Sequence, residues 1–135
     1  MRYLLDTNII ILFLKNDAAT IRLLVTLAQQ SSDPFCVSTV TQMEVWEGMY
    51  VAPDPQAAER QYQAFFAAVT LLPFDSDIAK RGARLRYDLR QHSIRTRDRG
   101  LDLQIAATAL HHALELVTYN TSDYDDIQGL SLYQI

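Results

Sequence analysis

At 135 residues the chain can build one compact domain with a substantial core and is too short for two. Its 49% hydrophobic and 21% charged residues exclude a disordered chain, and its longest apolar run, residues 9–14, falls far short of the roughly 20 residues that cross a bilayer. The net charge of −4 weighs against a polyanionic partner, but eight of the twelve basic residues and only two acids fall in residues 80–99, leaving that window at +6 and the rest at −10.

In chain order, residues 2–6 (RYLLD) form a short buried strand that runs into a turn at Thr7 and Asn8. Residues 8–17 and 18–30 are helices, the second with Ile21, Leu24, Val25 and Ala28 on one face. After a turn at Asp33 and Pro34, residues 35–39 (FCVST) make a second strand. It carries Cys36, the only cysteine, which excludes an internal disulfide and suits a reducing cytoplasmic setting. A helix follows over roughly residues 41–50, the PDPQ stretch breaks the chain, residues 56–69 are helical, and residues 70–74 (TLLPF) give a third strand. Asp75 or Ser76 caps the next helix, which has Ile78, Leu85 and Leu89 along its apolar stripe, Gly82 on the same stripe and arginines on its other faces. A polar segment, residues 91–100, leads to a helix over 101–115, a fourth strand over 116–120, and an edge strand within 130–134. Strands alternating with helices imply a three-layer α/β/α domain spanning residues 1–135, with a mostly parallel sheet of four to five strands.

Parallel strands deliver their following loops to one edge, so the topology gathers acids from distant parts of the chain. Asp6 closes the first strand, Glu44 lies in the first turn of the helix after the second, and Asp123 follows the fourth. Asp102 opens the helix that must finish at the opposite edge, so it starts at this one. Open α/β sheets bind ligands at that edge. Four carboxylates placed together repel, and hard divalent ions such as Mg²⁺ or Mn²⁺, one or two of them, relieve the repulsion with oxygen ligands. Each acid also has a structural alternative. Thr41 and Glu44 spell a capping box, Asp102 suits a helix dipole, and Asp123 suits a turn. Glu47, Asp98, Asp125 and Asp126 are the nearest rivals for membership. The basic window adds Arg84, Arg95, Arg97 and Arg99 as candidate phosphate contacts, while His92, His111 and His112 fall in a loop or helix and offer no triad.

These residues resemble the PIN-domain ribonucleases, specifically the VapC-like toxins of toxin–antitoxin pairs. YLLDTNIII is similar to the family's opening Asp-Thr-Asn/Ser motif, VSTVTQMEVWEGM to its strand, threonines and helical Glu, LDLQIAATAL to its Asp and Ile-Ala-Ala helix, and LVTYNTSDYDDIQGLSL to its closing strand, Asn and acidic loop. The resemblance implies that Asp6, Glu44, Asp102 and Asp123 hold the metal. Thr7, Asn120 and Thr121, or Ser122, would orient them. It implies hydrolysis of RNA, of the tRNA or rRNA class, by a metal-activated water. It also implies a homodimer and a cognate antitoxin whose peptide reaches the site near Phe13, Leu14 and Trp46. Tyr119 stands where the family often has a basic residue, a loss that Arg95, Arg97 and Arg99 would offset. A catalytically inactive RNA- or protein-binding module is the alternative. An aspartyl phosphotransferase would need a second Asp two positions after Asp6, and that position is Asn8.

Overall fold

The computed structural model describes residues 2–135. In chain order the elements are β1 (Tyr3–Leu5), α1 (Thr7–Leu14), α2 (Ala18–Gln30), β2 (Cys36–Ser38), α3 (Thr39–Met49), α4 (Pro55–Ala67), β3 (Thr70–Leu72), α5 (Ser76–Gln91), α6 (Gly100–His112), β4 (Glu115–Val117) and β5 (Ser131–Leu132). A single 3-10 turn, Thr121–Asp123, lies between the last two strands. The sheet has the order β3-β2-β1-β4-β5, and every pairing is parallel. The expected mostly parallel sheet is therefore fully parallel, with the edge strand present as its fifth member.

Short polar side chains punctuate the helices. Asp17, Asp54 and Asp75 accept the amides of Thr20, Ala57 and Ile78 at the starts of α2, α4 and α5, satisfying N–H groups that have no partner inside a helix. Asp54 is followed by Pro55, whose fixed φ suits the first helical position. α1 stops at Leu14, two residues before Asn16 turns left-handed at φ 61°, and α6 stops at His112, three residues earlier than its expected end at Glu115, with Ala113 left-handed at φ 54° as its cap.

Period-two alternation divides β1 between two cores, one on each face of the sheet. Leu4 points with Cys36 and Leu116 toward α5 and α6, where Leu85, Leu89, Leu103 and Ile105 close the layer. Tyr3 and Leu5 point with Val37 and Val117 toward α1, α2 and α4, against Ile9, Ile10, Leu27 and Phe66. Each fully buried aliphatic side chain contributes about 1.5–3 kcal/mol. These two layers are what fix the sheet edge carrying the acids. The buried face of α2 is Thr20, Leu24 and Leu27, whereas Val25 and Ala28 of the expected stripe are exposed. The segment enters at Asp17 with its stripe rotated by a residue, which periodicity alone does not reveal. Phe13 and Trp46 pack half-buried against the second core and Leu14 is buried in it.

Candidate active site

β1 ends at Leu5 because the backbone turns at Asp6 into α1, with Asp6 as its N-cap. Its carboxylate is buried, at 4% exposure, and is held from several sides. One oxygen accepts the Thr7 amide at 2.8 Å, and the other accepts the Thr118 hydroxyl at 2.7 Å, with the Asn8 side-chain amide at 3.5 Å. Burial pushes the Asp6 carboxyl above its ordinary range and Glu44 adds to that by repulsion. The hydrogen bonds from Thr118 and the Thr7 amide, with the nearby Tyr124 hydroxyl, pull it back.

Glu44 is not in the first turn of its helix. Ser38 caps α3 by accepting the Val40 amide at 3.1 Å, so the helix starts at Thr39 and Glu44 falls in its second turn. The capping box at Thr41 therefore does not form. Instead the Thr7 hydroxyl donates to Glu44 Oε1 at 2.7 Å and lies 3.2 Å from the Thr41 hydroxyl. That bond ties the residue after Asp6 to the helix after β2.

Asp102 sits in the first turn of α6, half-buried, and accepts the Tyr124 hydroxyl at 3.2 Å. Its carboxyl is raised by burial and then by the charges of Asp6 and Asp123, while the Tyr124 hydroxyl and Arg99 oppose the rise. Tyr124 is buried at 1% exposure. Burial and the charges of Asp6 and Asp102 hold its hydroxyl in the protonated, donating form. Asp123 lies in the exposed 3-10 turn. Arg99 grips this turn from α6: its guanidinium donates to both Asp126 carboxylate oxygens at 2.7 and 2.8 Å and to the Asp123 carbonyl at 2.9 Å.

Asn120 is exposed and its backbone amide donates to Thr118 Oγ1 at 3.0 Å; Thr121 and Ser122 are exposed in the turn. Asp6 is instead held by Thr118 and Asn8, and Asn8 also accepts the Tyr119 amide at 3.3 Å. Arg95 and Arg97 are exposed on the loop before α6, and Arg84 is exposed on α5, paired with Asp88 at 2.9 Å. Among the rivals, Glu47 and Asp125 are exposed, and Asp126 is committed to Arg99. Asp98 shares an open cleft of about 400 Å³ with Glu44, Gly100, Leu101, Asp102 and Gln104. Thr118 and Tyr124 escaped sequence reasoning. The visible signals were a polar residue at the end of a buried strand and an aromatic one inside an acidic loop.

The PIN-domain family matches residues 3–130. The tRNA(fMet)-specific endonuclease VapC of Shigella flexneri is 30% identical over 131 residues, which cover 96% of this chain and 95% of that protein. The chain belongs to the VapC group of PIN-domain nucleases. Ribonuclease VapC2 of Haemophilus influenzae is 25% identical over 130 residues, 96% of this chain and 95% of its own. Among solved structures, DNA-bound VapBC of Salmonella typhimurium has a TM-score of 0.84 at 25% identity, covering 98% of this VapC-family chain and 97% of its own. VapBC2 of Rickettsia felis, bound to a DNA fragment from their promoter, has a TM-score of 0.85 at 23% identity and covers 98% of each chain.

Whether this VapC-family site suits a divalent ion is a question about its donors. Among the described residues, no three His, Cys, Asp or Glu side chains have closed around one point. The acids are nevertheless near enough to act on one another, Asp6 feeling Glu44 and Asp102 feeling Asp6 and Asp123. Repulsion reaches further than a ligand shell, so the two findings agree. All the donors are hard oxygens, and two of the carboxylates are raised by burial and mutual charge, a strain that a hard cation relieves. The residues fit Mg²⁺ or Mn²⁺ in kind and in charge.

Proposed function

We propose that this protein is a metal-dependent endoribonuclease, the toxin of a toxin–antitoxin pair, that hydrolyses RNA phosphodiester bonds with water as the nucleophile. The observation that carries the reading is the buried Asp6 carboxylate, held by Thr7 and Thr118 and coupled to Glu44 and Asp102 at the C-terminal edge of the sheet. Asp6, Glu44, Asp102 and Asp123 would hold one or two Mg²⁺ or Mn²⁺ ions, which supply positive charge to activate a water and offset charge on the phosphoryl oxygens. The protein's own part is positioning. Thr7 fixes Glu44, Thr118 and Asn8 fix Asp6, and Arg99 fixes the turn bearing Asp123.

No side chain is needed as a covalent nucleophile. His92 is tied to the Asp88 carbonyl at 2.9 Å, while His111 and His112 pack on each other at the far end of α6. The open cleft beside Glu44 and Asp102 receives the RNA backbone, with Arg95 and Arg97 on the adjoining loop and Arg84 on α5 as exposed cations. A transfer RNA is the favoured substrate class, on the strength of the Shigella flexneri and Salmonella typhimurium relatives named as tRNA(fMet)-specific.

An antitoxin partner is supported by the VapBC complexes among the structural neighbours. A groove of about 580 Å³ between α1, α3 and α4, lined by Ile11, Leu14, Val45, Ala58 and Tyr62, offers such a partner an apolar seat. The cytoplasm is the compartment that holds these substrates. Exposed Met43, Tyr50 and Val51 favour a homodimer.

The test is cleavage of end-labelled transfer and ribosomal RNA fragments by purified, antitoxin-free protein with Mg²⁺ or Mn²⁺, with EDTA, and by Asp6→Asn. Cleavage that disappears with EDTA and in the variant is the expected result. RNA that is bound but never cut, regardless of chelation, replaces this reading with that of a binding module.

A further inference from the structure

We infer that Tyr124 is a positioning residue of this site, its hydroxyl fixing the Asp102 carboxylate in the orientation from which, with Asp6, it takes up a divalent ion. The inference rests on the metal-dependent reading above and goes beyond it by assigning a role to a residue outside the acid cluster.

Three features carry it. The ring is anchored by the core and not by the exposed loop it comes from: Tyr124 is 1% exposed and belongs to the apolar layer that includes Leu103 and Ile127. Its backbone is pinned on both sides, its amide to the Thr121 carbonyl at 3.0 Å and its carbonyl to the Ile127 amide at 3.1 Å. The hydroxyl therefore projects from a fixed point. It donates to Asp102 Oδ1 at 3.2 Å, on the side of the site where Asp102 meets the charge of Asp6.

A hydroxyl has one proton to give, so it cannot neutralise the acids as a cation does. What it does is keep Asp102 from turning away from Asp6, which Thr7 and Thr118 hold in place. A phenylalanine ring fills the same space and offers Asp102 no donor. Asp102, already repelled by Asp6 and Asp123, is then free to swing toward solvent, and an arriving ion must pull it back. Partners that orient metal ligands in this way commonly change metal affinity by 10–100-fold when removed.

The experiment is a Mn²⁺ titration followed by electron paramagnetic resonance, on wild type, Tyr124→Phe, Asp6→Asn and Tyr3→Phe, with thermal melts in EDTA. Tyr3 is an equally buried tyrosine whose hydroxyl donates to Gln30 at 2.8 Å, away from the acids, and it reports what losing a buried hydroxyl does in general. Tyr124→Phe is expected to melt cooperatively, to bind Mn²⁺ about 10-fold more weakly, and to regain RNA cleavage at saturating Mn²⁺, while Tyr3→Phe binds Mn²⁺ as wild type does. Unchanged Mn²⁺ affinity in Tyr124→Phe overturns the inference and leaves the nuclease reading intact. A cleavage defect that persists at saturating Mn²⁺ overturns the positioning role. Wild-type protein whose Mn²⁺ binding is absent, or insensitive to Asp6→Asn, overturns both readings together. If Tyr124→Phe melts non-cooperatively, the hydroxyl is part of the structural core and the inference is overturned.

Discussion

Thr118→Val tests whether the Asp6 carboxylate is held in its charged form by neighbouring donors. Valine matches threonine in shape, so the substitution removes the hydroxyl that donates to Asp6 at 2.7 Å and leaves the buried end of β4 filled. A hydrogen bond to a charged group contributes about 1.5–3 kcal/mol. The same hydroxyl also accepts from the Asn120 amide at 3.0 Å and the Asn8 side chain at 3.3 Å, so the single substitution reports more than one loss. A double-mutant cycle with Asp6→Asn isolates the part that depends on the carboxylate, because the Asn120 contribution is common to both backgrounds and cancels. Urea unfolding in EDTA at pH 7 is expected to give a loss of about 2 kcal/mol for Thr118→Val, about 8 °C in Tm for a domain of this size. In the Asp6→Asn background the cost should fall by about 1 kcal/mol or more. An equal cost in both backgrounds would refute the reasoning, since it would mean that the bond to the carboxylate contributes nothing of its own.

Three further outcomes follow from the same geometry. Asp6 and Asp102 both have carboxyls raised above the ordinary 3.8 by burial, so the native state binds more protons than the unfolded chain from that value upward. Stability in EDTA should accordingly decline as pH rises through this window, and Asp6→Asn should be more stable than wild type at pH 7, with the gap narrowing toward pH 4; urea midpoints across pH check it, and a wild type that is the more stable at pH 7 contradicts it. Arg99→Ala breaks a two-pronged pair whose arginine is mostly buried and whose aspartate is one-third exposed, and a loss of about 2 kcal/mol lies between the values for exposed and buried pairs. Arg99→Lys should recover less than half of it, because a lysine cannot span both Asp126 oxygens. Arg95→Ala and Arg97→Ala should instead weaken RNA binding and flatten its salt dependence at unchanged Tm.

The alternation of strands and helices, the sheet edge that gathers Asp6, Glu44, Asp102 and Asp123, and most helix starts were readable from residue order because each depends on local chemistry: a capping aspartate, a proline, a buried run. What stayed hidden depends on contacts between distant residues. Ser38 outcompetes Thr41 as the cap of α3, which turns Glu44 away from its own helix start and toward Thr7. Thr118 and Tyr124 act on residues far from them along the chain, Asp6 and Asp102, and no spacing rule connects such pairs. Arg99 has the composition of a phosphate contact, yet it spends its guanidinium on Asp126 and the Asp123 carbonyl. A basic window reports charge and does not say which of its members face outward.

The strand order also sets when the site can exist. β1 lies at the centre of the sheet and takes its neighbours from both sides, one from Cys36–Ser38 and the other from Glu115–Val117. A ribosome adding about 5–20 residues per second holds Asp6 without its Thr118 partner for several seconds after Asp6 is made. The nascent chain carries its acids unassembled throughout that interval. Pairing across so long a stretch of sequence is intrinsically slow. For a nuclease born on a ribosome, among the transfer RNAs proposed as its substrates, this order of assembly postpones activity until Thr118 and Asp123 have been made, the time in which a partner made alongside it can arrive.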